Sequence, residues 1–187
     1  MNVRALAPWM VAAAGLALAA LVFTLGPYRE LVERLGTARP FDEAPATGVE
    51  SAVARLRAMD AGTVELYLAH LRWDLLAMVG NLALLAGLLT GLARPWPRIA
   101  RTGLVLALLA VAGDLLENSV LGAWLADPST TPSVASVRLA LAATSTKLAS
   151  ISVAALLVPA LLAARSLRAL RSRRGSGAAN VVIAPGA

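Results

Sequence analysis

The chain has 187 residues, 58% hydrophobic and only 15% charged, with mean hydropathy +0.71 and a formal net charge of +6 from 17 Lys+Arg against 11 Asp+Glu. A soluble domain carries about 45–50% apolar and about 25% charged residues, so an ordinary cytosolic globule and a disordered chain are both excluded. With no cysteine and one histidine, the chain cannot build disulfide scaffolds, thiolate zinc sites, iron–sulfur clusters, cysteine nucleophiles or polyhistidine metal sites.

A hydrocarbon core about 30 Å thick takes about 20 apolar residues in a helix. Four stretches qualify, at residues 5–25, 75–93, 103–126 and 139–164. They are continuous Leu/Ala/Val runs, without the alternation of a membrane β-barrel strand. The expected fold is all-α, a bundle of four transmembrane helices over residues 1–174. A helical outer segment at 27–73 and a disordered cytoplasmic tail at 175–187 complete the expectation.

The first stretch has Arg4 ahead of it, and Ala17-Leu18-Ala19 imitates a signal-peptide cleavage site. Its apolar run exceeds the about 7–15 residues of a signal h-region, so an uncleaved anchor is expected.

Residues 27–73 are too many for a plain loop. Thr47 and Glu50 have capping-box spacing. Val49, Val53, Leu56 and Met59 follow at helical spacing, predicting an amphipathic helix that ends near Asp60-Ala61-Gly62. Thr63 then begins a second helix, through Tyr67 and His70, that continues into the second span. Pro40 to Pro45 is a rigid acidic turn leading in. The segment reads first as a cap on the bundle and second as a lid over a site. His70, close to Asp74 in sequence, reads first as an interfacial side chain and second as a proton relay or metal ligand.

The second span carries Asp74 at its mouth and Asn81 about two turns deeper. Its Gly87 to Gly91 stripe of small residues is expected to pack on a sister helix. The third span holds Asp114, Glu117 and Asn118, whose spacing places them on one helical face. The fourth holds Thr144, Ser145, Thr146 and Lys147, the last being the chain's only lysine. At ~1.5 Å per residue, Lys147 lies ~15 Å from Arg138, Glu117 ~14 Å from Ala126 and Asp114 ~18 Å. Lys147 is therefore expected between the two acids. The facing surface of its helix is Ala140, Ala143, Thr144, Lys147, Ser150 and Ala154. Ionisable groups in lipid cost a few kcal/mol and face partners inside the bundle.

Arginine placement predicts orientation. Arg94, Arg98 and Arg101 crowd the second connection, and Arg165, Arg168, Arg171, Arg173 and Arg174 follow the fourth span, without acids among them. Both termini are expected in the cytoplasm and the protein in the inner (plasma) membrane. The first connection also holds arginines, from Arg29 to Arg72, offset by acids. Trp9 and Trp96 are expected at the inner boundary, and Tyr28, Trp73 and Trp124 at the outer one.

These residues form a pattern. Asp42 is followed by Gly62, Tyr67 and Asp74 in G-x4-Y-x6-D spacing, then by the D-x2-EN of Asp114, Glu117 and Asn118, and by the T-x2-K of Thr144 and Lys147. Over residues 41–147 the chain resembles an uncharacterised, mostly bacterial family of four-span integral membrane proteins. Val49 departs from it, since the family tends to an aromatic after the glycine. The resemblance implies that the polar residues act as one set, and it implies no activity, substrate or cofactor.

Three functions fit. The leading one is a site of Asp114, Glu117, Asn118, Lys147, Thr144, Asn81, Asp74 and His70 that binds a small polar or amphiphilic ligand, a proton or a cation in a hydrated pocket open to the outside. The second is an intramembrane enzyme acting on lipid or quinone, with an acid as acid/base and Lys147 as oxyanion partner. No nucleophile elbow, HExxH motif or intramembrane histidine supports it. The third is a structural accessory subunit. No metal and no nucleic acid is expected, and the cofactor is unknown. The expected partners are the lipid bilayer, another copy of the chain or a membrane-complex subunit. The basic tail reads as a topology signal and then as an anionic-lipid contact.

Overall fold

The computed structural model describes residues 3–36, 39–41, 43–127, 129 and 131–179, with side chains described between residues 6 and 171. Among the described residues every regular element is an α-helix: α1 (Val3–Leu25), α2 (Tyr28–Leu35), α3 (Val49–Arg57), α4 (Ala61–Leu92), α5 (Pro97–Ala126) and α6 (Val134–Ala179). Four of them, α1, α4, α5 and α6, are long and apolar enough to cross a membrane. Their middle thirds expose Leu and Val to the surroundings, as at Leu76, Val79, Leu116 and Leu156, while glutamate, threonine and serine are buried between them. That inside-out distribution suits an apolar solvent.

The helix boundaries follow local chemistry. Asp60 caps α4, its Oδ1 accepting from the Thr63 N–H at 2.7 Å. Pro97 occupies the first turn of α5, where its missing N–H is not needed. Ser133 Oγ accepts from the Ser136 N–H at 3.0 Å at the start of α6.

Backbone contact joins α1 to α4. A Cβ on Gly87 would lie 2.4 Å from the Pro8 carbonyl oxygen, and one on Gly80 would lie 2.9 Å from the Ala19 nitrogen. The Gly87–Gly91 stripe thus packs on a sister helix, as its small residues predict. The other long helices pack in chain order, α4 on α5 and α5 on α6, while α2 lies on α4 and α3 touches α6. Two apolar clusters close the ends. At the cap end, Leu31 of α2, Phe41, Leu56 of α3 and Tyr67 of α4 join Leu121, Trp124 and Val137. At the arginine end, Leu89, Leu92 and Leu161 pack together. There Arg165 donates to the Gly91 carbonyl at 3.0 Å, satisfying an open carbonyl at the end of α4.

Several expectations change. The Thr47/Glu50 capping box does not form: the N-cap of α3 is Gly48, with no side-chain cap bond. The helix ends at Arg57, and its buried positions are Ala52 and Leu56. Asp60, expected at a helix end, instead starts the next helix at Ala61, ahead of Thr63. The amphipathic α2 was not expected; its Leu31 is buried against α4. Trp124 is a core residue, 6% exposed, and not a boundary ring. The backbone of α6 is helical to Ala179, past the expected start of the tail at residue 175. Residues 180–187 and Asp42 lie outside the described residues.

Candidate functional site

Lys147 lies between two carboxylates. Its Nζ is 2.7 Å from Asp114 Oδ1 and 2.9 Å from Glu117 Oε2. The side chains are 12% exposed for Lys147, 14% for Asp114 and 1% for Glu117. The second oxygen of Glu117 accepts from the Thr144 hydroxyl, which also lies 2.9 Å from the Ala140 carbonyl of its own helix. Glu117 is therefore held on both oxygens from α6, by an ammonium and by a hydroxyl.

Gly113 makes this geometry accessible. A Cβ there would sit 2.8 Å from the Ala143 carbonyl oxygen and 3.1 Å from the Lys147 nitrogen. With only hydrogen at that position, the backbones of α5 and α6 touch, and the next residue, Asp114, reaches across. Ala140, Ala143, Thr144, Ser150 and Ala154 are all buried, so the face of α6 chosen by spacing is the face that packs.

A second polar pair stands toward the cap. The Asn118 amide donates to Asp74 Oδ2 at 2.8 Å, tying α5 to α4. Asn81 lines a cavity of about 20 Å³ with Asp114 on its wall. A space of about 10 Å³ lies beside Glu117 and Thr144. Each is near the about 10–15 Å³ that one water needs. On the cap side, where a hydrated pocket open to the outside was expected, Phe41, Pro45 and Ala46 of a strap wall the space beside Glu117 and Thr144. Phe41 is 2% exposed and packs edge-on to Trp124 at 5.9 Å. Its N–H donates to the Tyr67 hydroxyl at 2.6 Å. The Arg55 guanidinium stacks 3.8 Å from the Phe41 ring centroid and donates to the carbonyls of Arg39 and Ala44.

His70 belongs to the cap. It is 8% exposed and packs beside Tyr28 at 5.6 Å and Tyr67 at 6.0 Å. Its described ring contacts are with Tyr28 and Tyr67, and Asp74 follows one turn later on α4. Tyr28 also donates to Glu43, pinning the strap to the start of α2.

The level of the cluster follows from α1. That helix runs along α4 from Trp9, against Gly91, to Gly26, against Trp73. Its apolar stretch of 20 residues, Leu6–Leu25, matches a bilayer core of about 30 Å. A bilayer core matched to that stretch would have its cap-side boundary at the level of Trp73, with α4, α5 and α6 extending beyond it. Asp74 follows Trp73 directly and binds Asn118. Asp114 is about 6 Å farther along α5. In that frame the cluster would lie within about two turns of the boundary, shallower than depths counted from Ala126 or Arg138.

Phe41, Arg55 and Gly113 matter to the site without having been singled out by chemistry. A glycine immediately before an intramembrane acid was the available signal for Gly113. Phe41 and Arg55 gave none, because their roles depend on how the strap folds back. No family model, curated protein or solved structure matches the chain.

Proposed function

We propose that this is an integral membrane protein whose Asp114–Lys147–Glu117 cluster holds an exchangeable proton near the cap-side membrane boundary. One ammonium between two carboxylates carries the argument. The fully ionised trio has a net charge of −1 in a region where uncompensated charge is costly, and one proton makes it neutral. The spaces beside Asp114 and Glu117 have room for about one water each, which favours a proton over an amphiphilic ligand. Asp74 and Asn118 lead from the boundary toward Asp114. The acid-free arginines of the second connection and of the segment after the fourth span support a cytoplasmic location for that end and both termini, with the cap outside.

A structural reading is favoured by one observation: Glu117 already has a donor on each oxygen. Infrared spectroscopy of the full chain, in detergent and in vesicles, separates the two. The expected result is a protonated-carboxyl band that shifts in deuterated buffer and is lost in either Asp114→Asn or Glu117→Gln. A bundle braced by a permanently ionised trio shows no such band at any pH at which the protein stays folded, and that result overturns the proton site.

A further inference from the structure

A groove of about 260 Å³ opens on the outer surface of the bundle between α4 and α5, away from Lys147. Leu75 and Leu115 line its membrane side, each 45% exposed. Gly122 lines it toward the cap, where a Cβ would meet only the Leu71 Cδ1, at 3.9 Å. Asn118 and Ser119 form its back.

The polar groups at the back are already engaged. Asn118 donates to Asp74 at 2.8 Å, and Ser119 returns its hydroxyl to the Leu115 carbonyl at 2.7 Å. Arg72 is the charged residue in the wall. It is exposed and makes no hydrogen bond or ion pair among the described residues. Arg72 also adjoins Trp73, at whose level a bilayer core matched to α1 would have its cap-side boundary. A guanidinium at that level stands where lipid phosphates lie, and the leucines one turn farther in stand where acyl chains begin.

We infer that this groove seats one phospholipid, its phosphate on Arg72 and the upper part of one acyl chain against Leu75 and Leu115. Charge complementarity selects the phosphate, since a guanidinium binds phosphate oxygens in a paired, charge-assisted geometry. Leu75 and Leu115 offer an acyl chain an apolar wall, and Gly122, without a side chain, leaves the cap-side end open for the phosphate beside Arg72. The occupant comes from the surrounding bilayer. The groove shares Asn118 with the polar pair that leads toward the proton-holding cluster, but Arg72, Leu75 and Leu115, which hold the lipid, are not among the residues of that cluster.

Native mass spectrometry of the detergent-purified full chain tests this, with added phosphatidylglycerol, with diacylglycerol of the same chains and with inorganic phosphate as competitor. The expected result is one tightly retained phosphatidylglycerol and about tenfold weaker retention of diacylglycerol. Arg72→Gln should weaken phosphatidylglycerol retention about tenfold, with Arg72→Lys retaining part of it. Gly122→Leu should abolish retention by filling the cap-side end of the groove, where the phosphate would sit, while leaving Arg72 in place. Circular dichroism and gel filtration confirm that each variant is folded; the exposure of Arg72 and the open space beside Gly122 favour that. Equal retention of diacylglycerol and phosphatidylglycerol overturns the phosphate contact. Unchanged retention in Gly122→Leu overturns the groove. Displacement by inorganic phosphate alone overturns the bilayer as the source. A folded Arg72→Gln that still holds phosphatidylglycerol like the unaltered chain overturns the site as a whole. None of these outcomes bears on the infrared band of the carboxylates.

Discussion

Gly113 and Lys147 meet backbone to backbone: a Cβ added to Gly113 would lie 3.1 Å from the Lys147 nitrogen and 3.3 Å from its Cβ. The position of the ammonium between two acids thus depends on a residue with no side chain. Gly113→Ala should push α5 from α6, because the nearest obstacle is the Ala143 carbonyl and backbone cannot rotate away. Overpacking of this kind costs about 1–3 kcal/mol. Thermal unfolding in detergent should show that loss, and spin-label distances between α5 and α6 should lengthen. Unchanged stability and distance would mean that the helices do not approach this closely.

Lys147 has two partners, and they are not equivalent. Lys147→Met should destabilise the bundle by about 3–5 kcal/mol, the scale for breaking one side of a buried pair. Glu117→Gln in that background should restore more than Asp114→Asn, because Glu117 is 1% exposed against 14% for Asp114. The more desolvated charge is the more costly one to leave without its counter-ion. Equal stability of Lys147→Met and the unaltered chain in a denaturant titration would put the lysine outside the core.

The caps of α3 and α4 predict opposite outcomes for two similar substitutions. Thr47→Ala should leave α3 unchanged, since Gly48 is its N-cap and no side-chain bond forms there. Asp60→Ala should fray the first turn of α4, whereas Asp60→Asn should preserve it. The Thr63 backbone hydrogen bond holds the Asp60 carboxyl below its usual value, with the Thr63 hydroxyl and Arg34 adding to the effect. A carboxyl lowered in the folded state stabilises above its unfolded pKa and loses that contribution as pH falls through the folded one. Amide exchange at Thr63 and Val64 should therefore stay slow down to the ordinary aspartate value of about 3.9 and accelerate below it, in excess of the intrinsic pH trend. Asp60→Asn should lack that step.

Orientation is open to chemical labelling. Cysteines placed at Thr47 and Ser129 should react with an impermeant thiol reagent in intact cells, and one at Ser176 should react only after lysis. The absence of native cysteine makes each site unambiguous. The reverse pattern would put the arginine end outside.

Four apolar runs, the packing face of α6 and the meeting of Lys147 with Asp114 and Glu117 could all be read from the chain. Each rests on helical periodicity and on the cost of a charge in lipid, which act over a few residues or force any buried ion to find its counter-ion. The Gly87–Gly91 stripe was legible for the same reason, since small residues declare a close helix contact. The tertiary structure decided what depends on chain segments far apart in sequence. Local spacing proposed a capping box at Thr47, but Gly48 is the cap of α3, and the Asp60 cap of α4 is itself a local bond to Thr63 that the spacing already offered and the expected helix end there passed over. Trp124 has the composition of a boundary ring, yet Phe41 folds back over it and makes it core. His70 stood near Asp74 in sequence, but α2 brought Tyr28 beside it. The depth of the acids needed α1, because a helix longer than the bilayer does not say where the bilayer begins. Periodicity chooses a face and charge demands a partner, but only packing between distant segments sets level, closure and the space left for a ligand.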